Sequence, residues 1–486
     1  MTPVPALSLD HLRRRYGERY KWLVLLTVMV GMMASIVSST IVNVAVPEMS
    51  RYFVIGQERA QWISAGFMVS MTLALSLTPW LLHSFGMRRT YLGAVLLLML
   101  GGIGGGLSMN FSLMIGMRVA EGIAAGVMQT IPSVVVLRSF QPHEQGRAMG
   151  IFGFGVVLAP AIGPGVGGLL VEFFGWRSIF FVVVPFCITA ILLARRFLPL
   201  SSREPGTRRA LDWRGLLLLA FATLCLLNGL VELHQAGSIG PWLLLPAGFA
   251  GMAGFTWYQL RCAEPLLHLR LFAHRQFAMG ATVAFVYGIA LFGSTYLLPI
   301  FLQTALNYTA SSAGFVLLPA GLAMACAMPV AGRLADRFPA NRLVVCGILL
   351  MSASLLLMVS VTGTSPYLAL LLWVATGRIG LSLILPALSI GTVRGLDPAA
   401  IPQATSMSSF MRQLGGVIGI SAVGIGLEIR AAAHGVDMRS VGPINPAKLA
   451  AFDEIFVALA LVMAAATFAA WFLKPAPHVH AGPASH

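Results

Sequence analysis

The chain has 486 residues, of which 57% are hydrophobic and only 10% are charged, with a mean hydropathy of +0.84. A soluble domain carries about 25% charged residues, so this composition excludes an ordinary soluble protein. The net charge of +15 would suit a nucleic-acid binder. However, the 32 Lys and Arg residues lie mainly between apolar stretches, which argues against nucleic acid as a partner.

Fourteen apolar stretches are long enough to cross a bilayer, which takes about 20 residues of helix. Backbone groups in lipid must pair within their own segment, so an all-α membrane protein is expected. The predicted spans are 22–46, 60–82, 90–108, 111–137, 148–171, 178–197, 213–233, 241–260, 277–302, 311–331, 342–362, 366–393, 403–427 and 454–473. The first is too long for a cleavable signal and is expected to be a signal anchor.

Lys and Arg are concentrated in alternate loops and in the N-terminal tail. By the positive-inside rule this places both termini in the cytoplasm, with the basic loops facing anionic lipid headgroups. The predicted organisation is a tail 1–21, six spans within 22–197, linkers and an added helix pair (213–260) within 198–276, six spans within 277–473, and a tail 474–486. Arg118 in span four and Arg378 in span twelve sit at matching positions, and such internal repeats are typical of transporters.

Glu121 is the only carboxylate deep within a predicted span, roughly 15 Å along the fourth helix. Arg118 lies one turn away on the same face, so the two side chains are expected to meet. A charge at this depth costs at least ~2.5–3.5 kcal/mol, and such residues usually face a cavity and have a function. Burial favours the neutral acid and the guanidinium favours the carboxylate, so movement of Arg118 would switch proton affinity. A static pair that fixes helix packing is the alternative.

The fifth span carries a ridge of small residues together with two prolines: Gly155, Ala159, Pro160, Gly163, Pro164, Gly167 and Gly168. Small residues let another helix backbone approach closely, and proline favours a bend. The ridge is predicted to pack against the other half of the chain, hold the closed side shut and limit leak. Ordinary tight packing is the alternative.

Polar, aromatic and methionine side chains are the candidates for lining a substrate cavity: Ser38, Asn43, Trp62, Met128, Gln129, Tyr287, Phe292, Tyr296, Gln303 and Met407. Methionine and large aromatic side chains suit a pocket that accepts several amphipathic shapes. For each residue alone, helix packing is the simpler interpretation. Arg378 and Arg412 either face the cavity and attract an anionic group, or snorkel to the inner end. Neutral or weakly acidic amphiphiles therefore fit at least as well as multiply cationic drugs.

The sequence contains no P-loop, no H-E-x-x-H, no G-x-S-x-G and no Cys/His cluster at metal-ligand spacing. It therefore predicts neither an enzyme nor a bound cofactor.

Seven sequence blocks occur in a definite order along nearly the whole chain: 39–47, 118–122, 159–168, 176–177, 211–213, 265–267 and 412–416. With these blocks the chain resembles the major facilitator superfamily, and within it the fourteen-helix drug:proton antiporters of the EmrB/QacA type. The resemblance implies two six-helix bundles plus two extra central helices. It does not identify the substrate, because function resides in the site and not in the fold.

The chain departs from that family's pattern at several positions. The usual acid of the first helix is Ser38 here, and the usual Gln of the fourth helix is Glu121. The family's inner-loop motif is represented in both halves by these conformational candidates: Gly86, Arg88, Arg89, Gly332, Asp336 and Arg337. The first copy has His83 in place of its acid, so a solvated turn explains it equally well. Asp336 is expected to pair with an Arg or to cap a neighbouring helix in one state only.

The function that the resemblance implies is export of amphipathic small molecules across the cytoplasmic (inner) membrane by proton antiport, with the proton gradient as energy source. In bacteria with two membranes, such exporters often work with a periplasmic adaptor and an outer-membrane channel. Loss of the first-helix acid leaves a proton-independent facilitator open. An exporter of an endogenous metabolite or lipid, or a non-transporting sensor or scaffold, would also fit the sequence.

Overall fold

A computed structural model describes residues 14–60, 62–199, 210–232, 240–436 and 444–473. Within these ranges the regular structure is entirely helical. The main helices are α1 (Arg19–Tyr52), α2 (Trp62–Gly106), α3 (Phe111–Ser139), α4 (Gln145–Phe174), α5 (Ser178–Phe197), α6 (Trp213–Glu232), α7 (Gly240–Arg261), α8 (Arg275–Ile300), α9 (Ala310–Arg337), α10 (Ala340–Met358), α11 (Tyr367–Val393), α12 (Ile401–Ala433) and α13 (Pro446–Trp471). The predicted tail 474–486, most of 1–21 and the linker 200–209 lie outside the described residues.

Eleven helices in the described part are long and apolar enough to cross a membrane. One of them, α2, has 45 residues and combines the predicted second and third spans. At Gly86 its backbone is non-helical, with φ 76° and ψ 165°, a region that favours glycine. The chain reverses direction at Gly86, and no loop residues separate the two parts of α2. An all-helical membrane fold is therefore confirmed, whereas the count of fourteen spans remains a prediction.

The helices form two halves, α1–α5 and α8–α13, each with its own hydrophobic core. The principal contacts between the halves join α4 to α9 and α2 to α12. We call the end of the molecule at which α1 begins the basic end, because the arginines of the Gly86 turn and of the α9 terminus lie there. We call the end of the molecule at which α1 terminates the opposite end.

The predicted extra helices, α6 and α7, pack against each other. Beneath them lies a base cluster of apolar side chains drawn from five helices: Leu73, Leu219, Phe255, Phe277 and Met407. Leu73 belongs to the first half, whereas Phe277 and Met407 belong to the second half. The α6–α7 pair therefore packs against both halves at the place where they meet.

Candidate functional site

The centre of α3 carries a fully buried ion pair. α3 begins at Asn110, whose side chain accepts a hydrogen bond from the Leu113 amide at 2.7 Å, as an N-cap residue does. Eight and eleven residues later come Arg118 and Glu121, both 0% exposed. Arg118 Nη1 donates to Glu121 Oε2 at 2.6 Å. The predicted pairing is therefore present in the structure.

Helices α1 and α2 hold the guanidinium in place. Arg118 Nη1 donates to the Ser38 hydroxyl and carbonyl, each at 3.3 Å, and Nε donates to the Ile63 carbonyl at 3.0 Å. Phe67 lies beneath the guanidinium, with its ring centroid 4.5 Å from Cζ. Ser38 thus contacts Arg118 at the position where the resembling family carries an acid. Arg118 Nη2 and Glu121 Oε1 have no hydrogen-bond partner among the described residues.

Two glycines of α2 make room for the Glu121 side chain. A Cβ on Gly101 would lie 2.6 Å from Glu121 Cγ, and a Cβ on Gly102 would lie 3.5 Å from Oε1 and 3.0 Å from the Phe180 carbonyl. Glu121 is therefore enclosed by α2, α3 and the start of α5. The expectation that it faces a cavity is wrong for this conformation, because the first half closes around it.

The cavity candidates do not form one surface. Trp62, Asn43, Tyr296 and Gln303 are exposed, and Asn43 Oδ1 accepts a hydrogen bond from Ser64 at 2.8 Å. Gln129 and Phe292 are half-buried, and Ser38 is buried against Arg118. Met128 and Met407 are buried in separate hydrophobic clusters, so the structure does not place either of them in an open cavity.

Tyr287 and Tyr296 are also separated. They are nine residues apart on α8, which at 3.6 residues per turn puts them on opposite faces of the helix. Tyr287 is buried, and the charges of Arg378 and Arg412 act on its hydroxyl. Arg378 Nη1 donates to Thr295 Oγ1 at 3.1 Å. Arg378 and Arg412 therefore both lie beside α8, and Tyr296 is on the opposite face of that helix from Tyr287.

The predicted ridge of α4 packs differently from the expectation. A Cβ on Gly155 would lie 2.9 Å from Met29 Sδ, and one on Gly163 would lie 2.9 Å from Thr40 Oγ1. Gly167 faces Ile41, whereas Gly168 has open space beside it. The prediction that the ridge packs against the other half is wrong at these three glycines, because α1 of the same half covers them. The ridge includes Ala159, which is buried, and Pro160 and Pro164, through which α4 continues unbroken.

The close contact between the halves lies nearer the basic end. Gly150 of α4 and Gly332 of α9 cross with almost no space between them, since a Cβ on Gly332 would lie 2.8 Å from the Gly150 Cα. Gly146 makes the same kind of contact one turn earlier. Sequence analysis found Gly332 but missed the other two. Their spacing of four residues was the available signal, but it begins before the predicted fifth span.

Asp336 caps the helix of the opposite half. Its Oδ1 accepts from the Gly146 amide at 2.6 Å, and its Oδ2 accepts from the Arg147 amide at 2.7 Å. These are orphan donors of the first turn of α4, where the helix dipole also favours a negative charge. Ser406 of α12 donates to the Leu75 carbonyl of α2, a second polar contact between halves. Sequence reasoning missed Ser406, which no pattern distinguishes.

The remaining inner-loop candidates have simpler surroundings. Gly86 forms the α2 reversal, and Arg88 donates to the Arg195 carbonyl at 2.9 Å, which ties the turn to the end of α5. Arg89 and Arg337 are exposed. Their conformational roles remain predictions.

Asp212 joins two of the sequence blocks at the base of the extra pair. Its Oδ1 accepts from the Gly215 amide at 2.8 Å and from the Tyr258 hydroxyl at 3.0 Å, and its Oδ2 accepts from Gln259 at 2.7 Å. Gln259 in turn accepts from the Leu267 amide at 3.2 Å. The blocks 211–213 and 265–267 therefore form one clasp around the ends of α6 and α7.

Two helical halves built from long apolar helices define a multi-pass membrane protein. The family model for the Major Facilitator Superfamily matches residues 28–420, and the chain belongs to that superfamily. Its members are transporters and not enzymes.

Similar proteins include several named for drug resistance. A "Multidrug resistance protein B homolog" of Mycobacterium tuberculosis is 31% identical over 437 residues, covering 87% of this chain and 80% of that protein. A "Lincomycin resistance protein LmrB" of Listeria monocytogenes is 25% identical, covering 85% and 87%. Among solved structures, the human organic anion transporter MFSD10 (TETRAN) has a TM-score of 0.67 at 16% identity, covering 93% of this chain and 99% of that one. The likeness at this identity shows the fold alone.

Proposed function

We propose that the protein is a secondary active transporter that exports amphipathic small molecules across the cytoplasmic membrane by proton antiport. We further propose that it has fourteen spans and belongs to the EmrB/QacA type. Relatives named for multidrug and lincomycin resistance support drugs or similar toxic compounds as cargo. No cofactor takes part, and the proton gradient supplies the energy.

The observation that carries the proposal is the Arg118–Glu121 pair. Among the described residues, Glu121 is the only carboxylate that is buried. A fully buried charge is costly unless it is paired, so protonation of Glu121 should accompany release of Arg118. Arg118 already touches Ser38 of α1 and the Ile63 carbonyl of α2. A change of charge on Glu121 therefore acts directly on three helices.

Contacts at the basic end support alternating access. We assign this end to the cytoplasm, with both chain termini on the same side. The Asp336 cap and the glycine crossing hold α4 and α9 together there. This conformation is then the outward-facing one, and uptake of cargo from the cytoplasm requires both contacts to separate.

Purified protein in liposomes with an imposed pH gradient tests the proposal. Antiport predicts that substrate moves uphill only with the gradient and that protons move in the opposite direction. Equal flux with and without the gradient would favour a proton-independent facilitator. Absence of flux for drugs, metabolites and lipids would favour a sensor or scaffold.

A periplasmic adaptor and an outer-membrane channel are proposed partners if the source organism has two membranes. Co-purification with an adaptor supports this assembly. Full efflux from cells that lack every adaptor would contradict it.

A further inference from the structure

The described helices hold three arginines at mid-depth, and they differ in how their charges are neutralised. Arg118 is paired with Glu121. Arg378 and Arg412 lie about eleven residues into α11 and α12, or roughly 16 Å along each axis. Among the described residues, no carboxylate lies within ion-pair distance of either one. Within the described part of the second half, these two positive charges therefore have no neighbouring counter-charge.

Both arginines lie beside α8, since Arg378 donates to Thr295 of that helix and the Arg412 carbonyl packs against Gly288. Both guanidinium groups act electrostatically on Tyr287, which is 1% exposed. Arg378 is hydrogen-bonded to Thr295, and Arg412 makes no hydrogen bond within the described part of the protein. Both arginines are half-buried. Like charges repel most strongly where water is scarce, so this arrangement favours a ligand of opposite charge.

The surroundings of α8 show where such a ligand would enter. On one side, Gly288 and Phe292 contact α12. On another side, Ser294 and Leu298 border α10 and α11. Thr295 lies between these two sides and is exposed. The exposed face of α8 therefore opens between α11 and α12, the two helices that carry the arginines.

A small pocket adjoins Arg378. Apolar side chains dominate its lining: Leu298, Met351, Leu355, Met358 and Val374. In this conformation it is far too small to enclose a drug-sized molecule, whose complete sites are roughly 300–1,000 Å³. An apolar pocket next to a guanidinium matches a molecule with an apolar body and one anionic group.

We propose that Arg378, Arg412 and Tyr287 bind the anionic group of an amphipathic organic anion, which deepens and rests on the proposed export function. The guanidinium forks suit a carboxylate or sulfonate, which accepts two parallel hydrogen bonds. Tyr287 is buried in this conformation, so its hydroxyl donates a third hydrogen bond only when the site opens. This assigns the cargo to weakly acidic amphiphiles rather than to organic cations.

Two probes that share a fluorophore test the assignment. Dansylglycine carries a carboxylate and dansylcadaverine carries an amine. Each is titrated against the full-length protein in phosphatidylcholine nanodiscs, with empty nanodiscs as the blank. The parent protein is expected to bind dansylglycine saturably. Arg378→Gln and Arg412→Gln should each weaken that binding at least tenfold, because each removes a charged donor. Dansylcadaverine binding should not weaken.

Matched variants separate this site from a general loss of charge or fold. Arg394→Gln removes an exposed arginine just after α11 and should leave both probes unaffected. Tyr287→Phe should weaken dansylglycine binding several-fold, and Arg412→Lys keeps the charge without the fork and should lose a similar amount. The proposal is overturned if the parent does not bind dansylglycine, or if every folded arginine variant binds it as the parent does.

These titrations need no pH gradient. Loss of proton-driven flux with intact anion binding would refute the proposed function alone. Proton-driven flux of dansylcadaverine, with no binding of dansylglycine, would refute the anion site alone.

Discussion

Ser38 and Glu121 lie on two sides of the same guanidinium. Arg118 Nη1 is 2.6 Å from the Glu121 carboxylate and 3.3 Å from the Ser38 hydroxyl. In the family that the sequence resembles, the acid belongs to the first helix and the fourth helix carries Gln. This chain has the reverse arrangement, yet Arg118 can reach either position. In this chain the carboxylate that pairs with Arg118 belongs to α3, and Ser38 of α1 contacts the same guanidinium.

Glu121→Gln is expected to abolish accumulation against a gradient. Gln does not titrate, and it leaves Arg118 buried without a counter-charge. Breaking a buried pair costs about 3–5 kcal/mol, so the variant should also unfold at a lower temperature. Downhill flux should persist in the protein that remains folded. Uphill flux in liposomes and thermal unfolding are measured on the same preparation.

The double variant Ser38→Asp with Glu121→Gln is the rescue experiment. The new carboxylate lies within reach of Arg118, so both thermal stability and proton coupling should partly return. Glu172→Gln, which removes an exposed acid from α4, is the control and should behave like the parent. If Glu121→Gln pumps as well as the parent across a range of pH, the proton takes another route or is not used.

At the scale of helices, Asp336 joins two elements that must separate. The bonds to Gly146 and Arg147 exist only while α4 and α9 are together. Asp336→Ala removes a cap and leaves two amides of α4 without acceptors. A helix cap contributes about 0.5–2 kcal/mol, and bonds to a charged acceptor contribute more. The equilibrium should shift roughly ten- to hundredfold toward opening of the basic end.

Spin labels on Arg89 and Arg337 measure that opening. Both side chains are exposed, one in each half. The labels require a background without the five native cysteines. Asp336→Ala should increase the population with long distances. Asn445→Ala is the control, since Asn445 also caps a helix, through the Ala447 amide at 2.9 Å, but within one half. Identical distance distributions in the parent and Asp336→Ala would show that Asp336 does not hold the basic end closed.

Gly163→Leu is expected to leave the protein in the membrane and greatly reduce transport. Its Cβ would lie 2.9 Å from Thr40 of α1, so a larger side chain separates α4 from α1. Gly165→Leu lies two residues away with open space around its Cβ and is the matched control. Expression and flux are compared for the two variants. Normal flux in Gly163→Leu would remove any gating role for the ridge.

Sequence predicted the helices well and their neighbours poorly. Apolar length identifies a membrane helix because the bilayer demands it, and the spacing of Arg118 and Glu121 predicts their contact because one helix carries both. The helix that packs against Gly163 could not be predicted from the sequence. Periodicity identifies the face of α4 but not which helix covers it. Likewise, charge alone did not show that Arg378 and Arg412 both lie beside α8, since three helices have to assemble first.

For the whole molecule, the proposed topology follows from the distribution of arginines. Reporters fused at residue 205 or after residue 486 should both be cytoplasmic, because the basic loops are retained on that side. Alkaline phosphatase should be inactive and green fluorescent protein fluorescent at both sites. A reporter in the Gly56 turn, between α1 and α2, should give the reverse result. Either of the first two sites proving external would overturn the fourteen-span arrangement.

The base cluster under α6 and α7 has a consequence for the energy of the transport cycle. Its side chains come from both halves, so opening the basic end exposes apolar surface of the cluster. Where that surface meets water, exposure costs about 25 cal/mol per Å². The added helices therefore favour the conformation described here over the one in which the basic end is open. A cargo molecule at the basic end binds only the less populated, open conformation. Its apparent affinity is therefore reduced in proportion to the population of that conformation. Under the proposed export function, only ligands whose binding free energy exceeds this cost drive the cycle, so the extra helix pair would set a lower limit on the affinity of exported molecules.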